Sequence, residues 1–189
     1  MQVKSVSREV LVAQEQIVKI NRHDIEFLKK SAWENERRRI RVCAHKGIGD
    51  KLHEMFIVHG RDTYVRPHKH LCKTESFHVI EGAVDVIVFD EIGNLREVIT
   101  MGDYMSGREF YFRLSDPLCH TLLIRSDVLV FHETTTGPFD RADTVFAPWA
   151  PEENDHPGRS AFLSRLELAV QDFILSLEEI QNDGFCLPT

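Results

Sequence analysis

The chain has 189 residues, 42% hydrophobic and 28% charged, with a net charge of −7; this suits one domain with a real core and argues against a general nucleic-acid binder, which usually shows a basic footprint. No run approaches the ~20 apolar residues of a membrane span, and Met1 to Ile20 lacks the continuous apolar stretch of a signal peptide. Cys43, Cys72, Cys119 and Cys186 form no Cys-x-x-Cys pair, which argues against a zinc knuckle or thioredoxin-like site and makes a reducing cytoplasm the simplest compartment.

Met1 to Gln16 is polar with strand-like valines and reads as an arm or short edge strand. Asn21 or Asp24 can cap a helix in which Ile25, Leu28, Ala32 and Trp33 fall at helical spacing, with Phe27 off the stripe. Glu34 to Arg39 is a charge run that reads as a solvated helix end. Short strands then follow at Ile40–Ala44, Glu54–His59, Thr63–Pro67, Glu75–Ile80, Val84–Phe89, Leu95–Thr100, Phe110–Leu114, Thr121–Arg125 and Val128–Glu133. Many short strands with frequent turn signals predict an all-β sandwich or barrel. Glu81-Gly82 marks a tight turn, and Gly93 or Asn94 can supply positive φ in the next hairpin. Val84 to Phe89 is apolar on much of both faces, so it packs into the barrel on one side and under a helix or partner on the other. Thr134 to Gly158 reads as an ordered loop, because Phe139, Phe146 and Trp149 are too apolar to leave in water. From Ser160 a helix carries Phe162, Leu163, Leu166, Val170, Phe173, Ile174 and Leu177 as one stripe. Core packing is the default reading of that stripe; together with the doubly apolar strand it also predicts a homodimer. The organisation is one structural domain: an N-terminal arm and helix over 1–36, a barrel with its Pro/Trp loop over 37–153, and a C-terminal helix and tail over 154–189.

The most informative stretch runs from Tyr64 to Gly82. It holds His68-x-His70, then Glu75, then Gly82. Side chains alternate along a strand, so Tyr64, Arg66, His68 and His70 are expected on one face, and Glu75, Phe77 and Val79 on one face of the next strand. If both strands line one interior, two imidazoles and a carboxylate converge. Such a donor set suits one divalent transition metal: Zn, Fe, Ni or Mn. His78 alternates outward, Cys72 and Cys119 point off the metal face, and Lys73 reads as solvated.

These spacings resemble the first cupin motif, His68-x-His70-x4-Glu75-x6-Gly82, with His120 at the position where the second cupin motif supplies its third histidine. Two turns depart from the pattern: Asp62 stands where a Gly is usual, and Ser115, Pro117 and Ile124 replace the usual Pro, Gly and Asn around His120. Arg37-Arg38-Arg39, Tyr64 to His70, His120-Thr121-Leu122, Gly137-Pro138-Phe139-Asp140 and Phe146 to Glu153 together resemble the WbuC family of cupin metalloproteins. The resemblance implies a cupin double-stranded β-helix (jelly-roll) barrel with a helix at each end. It also implies a metal held by His68, His70, Glu75 and His120, and a role in surface polysaccharide (O-antigen) biosynthesis. The expected ligand is a small molecule, an anionic sugar derivative or sugar nucleotide, and the expected chemistry is isomerase or epimerase proton transfer. Arg66 is the candidate substrate-binding residue; Glu133, by its alignment with an acidic residue of that family, and Tyr64 are the candidate catalytic acid–base groups. Because His132 and Glu133 are adjacent, only one can face inward. A non-catalytic sensor, an iron dioxygenase, and a metal-free barrel in which His68 and His70 are bases are the alternatives.

Overall fold

The computed structural model describes residues 1–183; Cys186 lies outside the described residues. In chain order the elements are β1 Val3–Ser7, β2 Val10–Ala13, α1 Arg22–Glu34, β3 Arg39–Cys43, β4 Leu52–Gly60, β5 His68–His70, β6 Glu75–Glu81, β7 Ala83–Phe89, β8 Leu95–Gly102, β9 Tyr111–Leu114, β10 Cys119–Ile124, β11 Val128–Thr136, β12 Thr144–Phe146 and α2 His156–Asp183. They form a seven-stranded sheet, β1-β2-β3-β4-β11-β6-β9, and a five-stranded sheet, β12-β5-β10-β7-β8. From β4 to β11 the chain crosses repeatedly between the two sheets, which is the jelly roll, or double-stranded β-helix, of cupin folds. The neighbouring strands within each sheet are antiparallel except β2 and β3, which are parallel.

Three apolar clusters hold this arrangement. The barrel interior is filled from both sheets by Met55, Ile57, Phe77, Val79, Val84, Val86, Leu122, Leu129 and Phe131. On the outside of the long sheet, α1 lays Ile25, Leu28 and Ala32 over Ile40, Val42, Val58 and Val130. Asn21 caps α1 in a capping box: its side chain accepts from the His23 and Asp24 amides, and Asp24 accepts from the Asn21 amide. Trp33, expected on the buried stripe, stays 52% exposed, with the Arg38 guanidinium 5.1 Å from its ring centre. On the outside of the short sheet, α2 packs Leu166 and Val170 on Ile87, Phe89 and Leu123.

That last cluster accounts for two sequence features. The outer apolar face of β7 is covered by α2, and most of the α2 stripe is the cover. Both features on which the homodimer expectation rests are thus consumed within the chain. The helix also begins earlier than expected, at His156.

The loop after β11 contains β12, which pairs with β5, and Trp149, which packs edge-on to Phe89 at 4.9 Å between ring centres. Phe139 and Phe146 remain 48% and 45% exposed, contrary to expectation. Cations cover them instead: Lys73 Nζ lies 5.1 Å from the Phe139 ring and Arg66 Cζ 5.0 Å from the Phe146 ring. Lys73 is therefore not solvated; its side chain is 5% exposed, and its ammonium donates to the Pro138 carbonyl. Gly82 turns β6 into β7 at φ +95, where a Cβ would lie 2.3 Å from the Val128 carbonyl oxygen, so this turn admits only glycine.

Candidate metal and acid–base site

β5 and β10 lie side by side in the short sheet with His68 directly opposite His120. Their ring centres are 4.7 Å apart, and His70 sits 5.0 Å from His68. Glu75 opens β6 in the facing sheet, and its carboxylate reaches between the imidazoles. Glu75 Oε1 lies 2.7 Å from His120 Nε2, and Oε2 lies 3.3 Å from His70 Nε2. The structure thus brings His68, His70, Glu75 and His120 together at one end of the barrel.

Each imidazole is oriented from behind. His68 Nδ1 donates to the Arg66 carbonyl at 2.8 Å and His120 Nδ1 to the Leu118 carbonyl at 3.0 Å. A carbonyl only accepts, so both Nδ1 atoms carry a proton and the two Nε2 atoms are the nitrogens left for the cluster. His70 Nδ1 is 3.1 Å from the Thr144 hydroxyl on β12. Outer contacts of this kind orient histidines at metal centres.

Among the described residues, no three such side chains are spaced around a common empty point for an ion. The cluster is instead closed on itself by the Glu75–His120 pair. Burial lowers the His120 pKa, but the hydrogen bond and charge of Glu75 outweigh it, and the net shift is upward. Burial raises the Glu75 pKa, and the hydrogen bonds of His120 and His70 more than reverse this, giving a net downward shift. His68 is pushed down to about 4, first by burial and then by the His120 charge. The Glu75–His120 contact therefore joins two atoms of one donor set. The donor set of three Nε2 atoms and one carboxylate fits a divalent transition metal.

Glu133 joins this group from β11. It lies opposite Phe77 and Met55 in register, so it shares the interior face and His132 points outward. Burial and the Glu75 charge push its carboxyl up to about 7, with Arg41, His70 and His120 pulling the other way. Thr135, opposite Glu75, buries a hydroxyl oxygen with no protein partner.

Tyr64 turns away from the histidines, whereas Arg66 stays near them, over the ring of Phe146, which pairs with His68. The strand expected over Thr63–Pro67 does not form; pairing begins only at His68, after Pro67 has removed a backbone donor. Without strict alternation, Val65 turns into the barrel core. The Tyr64 hydroxyl donates to the Pro151 carbonyl at 2.9 Å, and its ring meets Phe162 of α2. Burial pushes this phenol up to about 12. Arg66 stands at the rim over Phe146. His78 is exposed on the outer face against Phe110. Cys119 is buried on the α2 side and Cys72 is exposed.

The sequence reading missed Thr144, which lies in a stretch that gave no strand signal, and Arg41. The alternation of Arg39, Arg41 and Cys43 with Ile40 and Val42 was the available sign for Arg41. The Arg run proved to be a latch: Arg37 and Arg39 both pair with Glu9 and Glu153, tying the N-terminal strands to the Pro/Trp loop. A surface groove of about 510 Å³ lies between α1 and the outer face of β4 and β6, away from the histidines.

A family model described as a domain of unknown function, DUF6016, matches residues 20–101. No curated protein matches the chain. Solved structures similar to it include protein SO0799 from Shewanella oneidensis, with 9% identity, TM-score 0.47, and coverage of 56% of this chain and 72% of that one. The capsular polysaccharide assembling protein CapF from Staphylococcus aureus shows 20% identity, TM-score 0.47, and coverage of 59% and 32%. Oxalate decarboxylase from Bacillus subtilis shows 18% identity, TM-score 0.42, and coverage of 52% and 25%. The chain thus spans about a third of CapF and a quarter of the decarboxylase. Likenesses this distant carry no argument about site or activity. No helix among the described residues is long and apolar enough to cross a membrane.

Proposed function

We propose that this protein binds one divalent transition metal through His68, His70, Glu75 and His120 and catalyses proton transfer on a small sugar-type substrate. The observation that carries the metal reading is the orientation of the imidazoles. With their Nδ1 atoms engaged from behind, Nε2 of His70 and His120 meets one shared carboxylate, and the His68 ring lies against both. The motifs that resemble the WbuC family supply the substrate class, a sugar or sugar nucleotide of surface polysaccharide synthesis. A bound cation supplies Lewis-acid polarisation of a substrate oxygen.

The chain's own residues supply the rest. A carboxyl near pKa 7 exchanges protons readily at neutral pH, so Glu133 is placed to take a proton from carbon or oxygen next to the polarised centre. Arg66, at the rim, offers a planar fork to an anionic substituent. Tyr64 is bonded to the Pro151 carbonyl and turned toward α2; its role in this reading is to hold the wall. The test is turnover of a panel of sugar nucleotides by metal-loaded protein, with Glu133→Gln reducing the rate about 10²–10⁴-fold. A panel turned over equally by parent and variant would remove Glu133 from the reaction.

A second reading, an acid–base site that needs no metal, is favoured by one observation. The Glu75–His120 pair at 2.7 Å closes the cluster with a proton alone. Chelated protein that keeps full turnover would establish it in place of the first.

A further inference from the structure

Two crossovers carry the chain between the sheets at the donor end of the barrel. Residues 71–74 run from β5 to β6, with His70 before them and Glu75 after them; residues 137–143 run from β11 to β12 and end beside Thr144. Backbone hydrogen bonds tie the two crossovers together at both ends. At one end the Leu71 amide donates to the Asp143 carbonyl at 2.9 Å, and at the other the Thr136 amide donates to the Thr74 carbonyl at 3.0 Å. The Thr74 amide in turn donates to the Thr136 hydroxyl at 3.1 Å.

Between those ends Lys73 makes the tie. Its neighbour Cys72 is exposed, whereas the Lys73 side chain is 5% exposed. Its ammonium donates to the Pro138 carbonyl at 3.2 Å and lies 5.1 Å from the centre of the Phe139 ring and 4.0 Å from Asp143 Oδ2. All three partners belong to the second crossover. Taking an ammonium out of water costs free energy unless such partners replace the water, so the second crossover is held where they stay within reach. Asp143 directly precedes Thr144, which is opposite His70 in register with its hydroxyl 3.1 Å from His70 Nδ1. Lys73 thus stands between two groups of the cluster. The chain leads from it to Glu75 on one side, and its contacts lead through Thr144 to His70 on the other. The distance these two keep is 3.3 Å, from Glu75 Oε2 to His70 Nε2.

We propose that Lys73 is a positioning residue: by fastening the two crossovers it sets His70 against Glu75 and fixes the spacing of the donor set. Its value for a metal rests on the functional reading above; its hold on His70 does not. His120 is oriented separately, by the Leu118 carbonyl.

The test reads the ring 15N signals of histidine-labelled, chelated protein, which report the protonated nitrogen of each imidazole. Lys73→Met keeps an unbranched side chain and removes the charge. It should move the His70 signals toward an even mixture of the two tautomers, while those of His120 and His78 stay as in the parent. Zinc affinity of the same variant, read by competition with a chelating dye, should fall about 10-fold to 100-fold. Phe139→Leu keeps the ammonium and removes the ring beside it. It should shift the same His70 signals by less, and it carries the test if Lys73→Met does not fold. Displaced His70 signals in a protein whose parent takes up no zinc would uphold the positioning role and remove the metal reading. A loss of thermal stability with the His70 signals unchanged would make Lys73 a brace of the loop alone and overturn the proposal.

Discussion

Strands β6, β10 and β11 each send a polar side chain inward at one end of the barrel and apolar ones toward the other. Along β6 the inward residues are Glu75, then Phe77 and Val79; along β10 they are His120, then Leu122 and Ile124; along β11 they are Glu133, then Phe131 and Leu129. The register brings Glu75 beside Thr135 and His120 beside His68, so the polar residues of separate strands meet on one level. The apolar end is specified many times over by interchangeable groups. The polar end depends on a few particular atoms and works against stability, because it buries a carboxylate with only histidines to offset its charge. A local cost to stability of this kind is expected at a functional site.

Substitutions at the two ends should separate these roles. Phe131, 1% exposed in the barrel core, is the largest case. Phe131→Ala should cost about 3–5 kcal/mol in denaturant unfolding, while metal uptake per folded molecule stays at the parental level. A loss of metal in step with stability would mean that the two ends are not independent. Thr144→Val tests the outer support of His70. It should lower metal affinity about 10-fold to 100-fold with little change in stability, as read by competition with a chelating dye.

The smallest effect concerns Glu133. Its carboxyl titrates near 7 in the folded protein against an ordinary value of 4.5, so folding takes up a proton between those values. Stability from this group is therefore highest below about pH 4.5, falls as pH rises toward about 7, and stays low above that. In chelated protein, Glu133→Gln should gain on the parent between pH 5 and pH 8 by about 1 kcal/mol, a figure reduced for the group's partial exposure. Thermal unfolding at the two pH values checks this. A constant difference between parent and variant would show that Glu133 is not perturbed.

Much of this was legible in the sequence. Period-two alternation located β6, β7, β8, β10 and β11; strand spacing anticipated the meeting of His68, His70 and Glu75, and the motif resemblance added His120. Alternation failed where the chain is not a strand: between Thr63 and Pro67 the backbone is irregular, and Tyr64 went to the α2 side. Thr144 was invisible because β12 is only three residues long and its pairing with β5 is set by tertiary contact. The destinations of Lys73, Phe139 and Phe146 were missed for the same reason, since cation–ring contacts join residues far apart in the chain. The apolar faces of β7 and α2 were each read correctly as needing cover. That they cover one another is a fact of topology that neither segment carries alone.

The central claim is that the polar end is a metal centre, and metal content decides it. Parent, His70→Ala and His78→Ala are loaded with zinc, passed through a desalting column and measured for zinc per chain. The account predicts about one zinc in the parent and in His78→Ala, whose imidazole lies on the outer face, and nearly none in His70→Ala. Equal zinc in all three, or none in the parent, would contradict it.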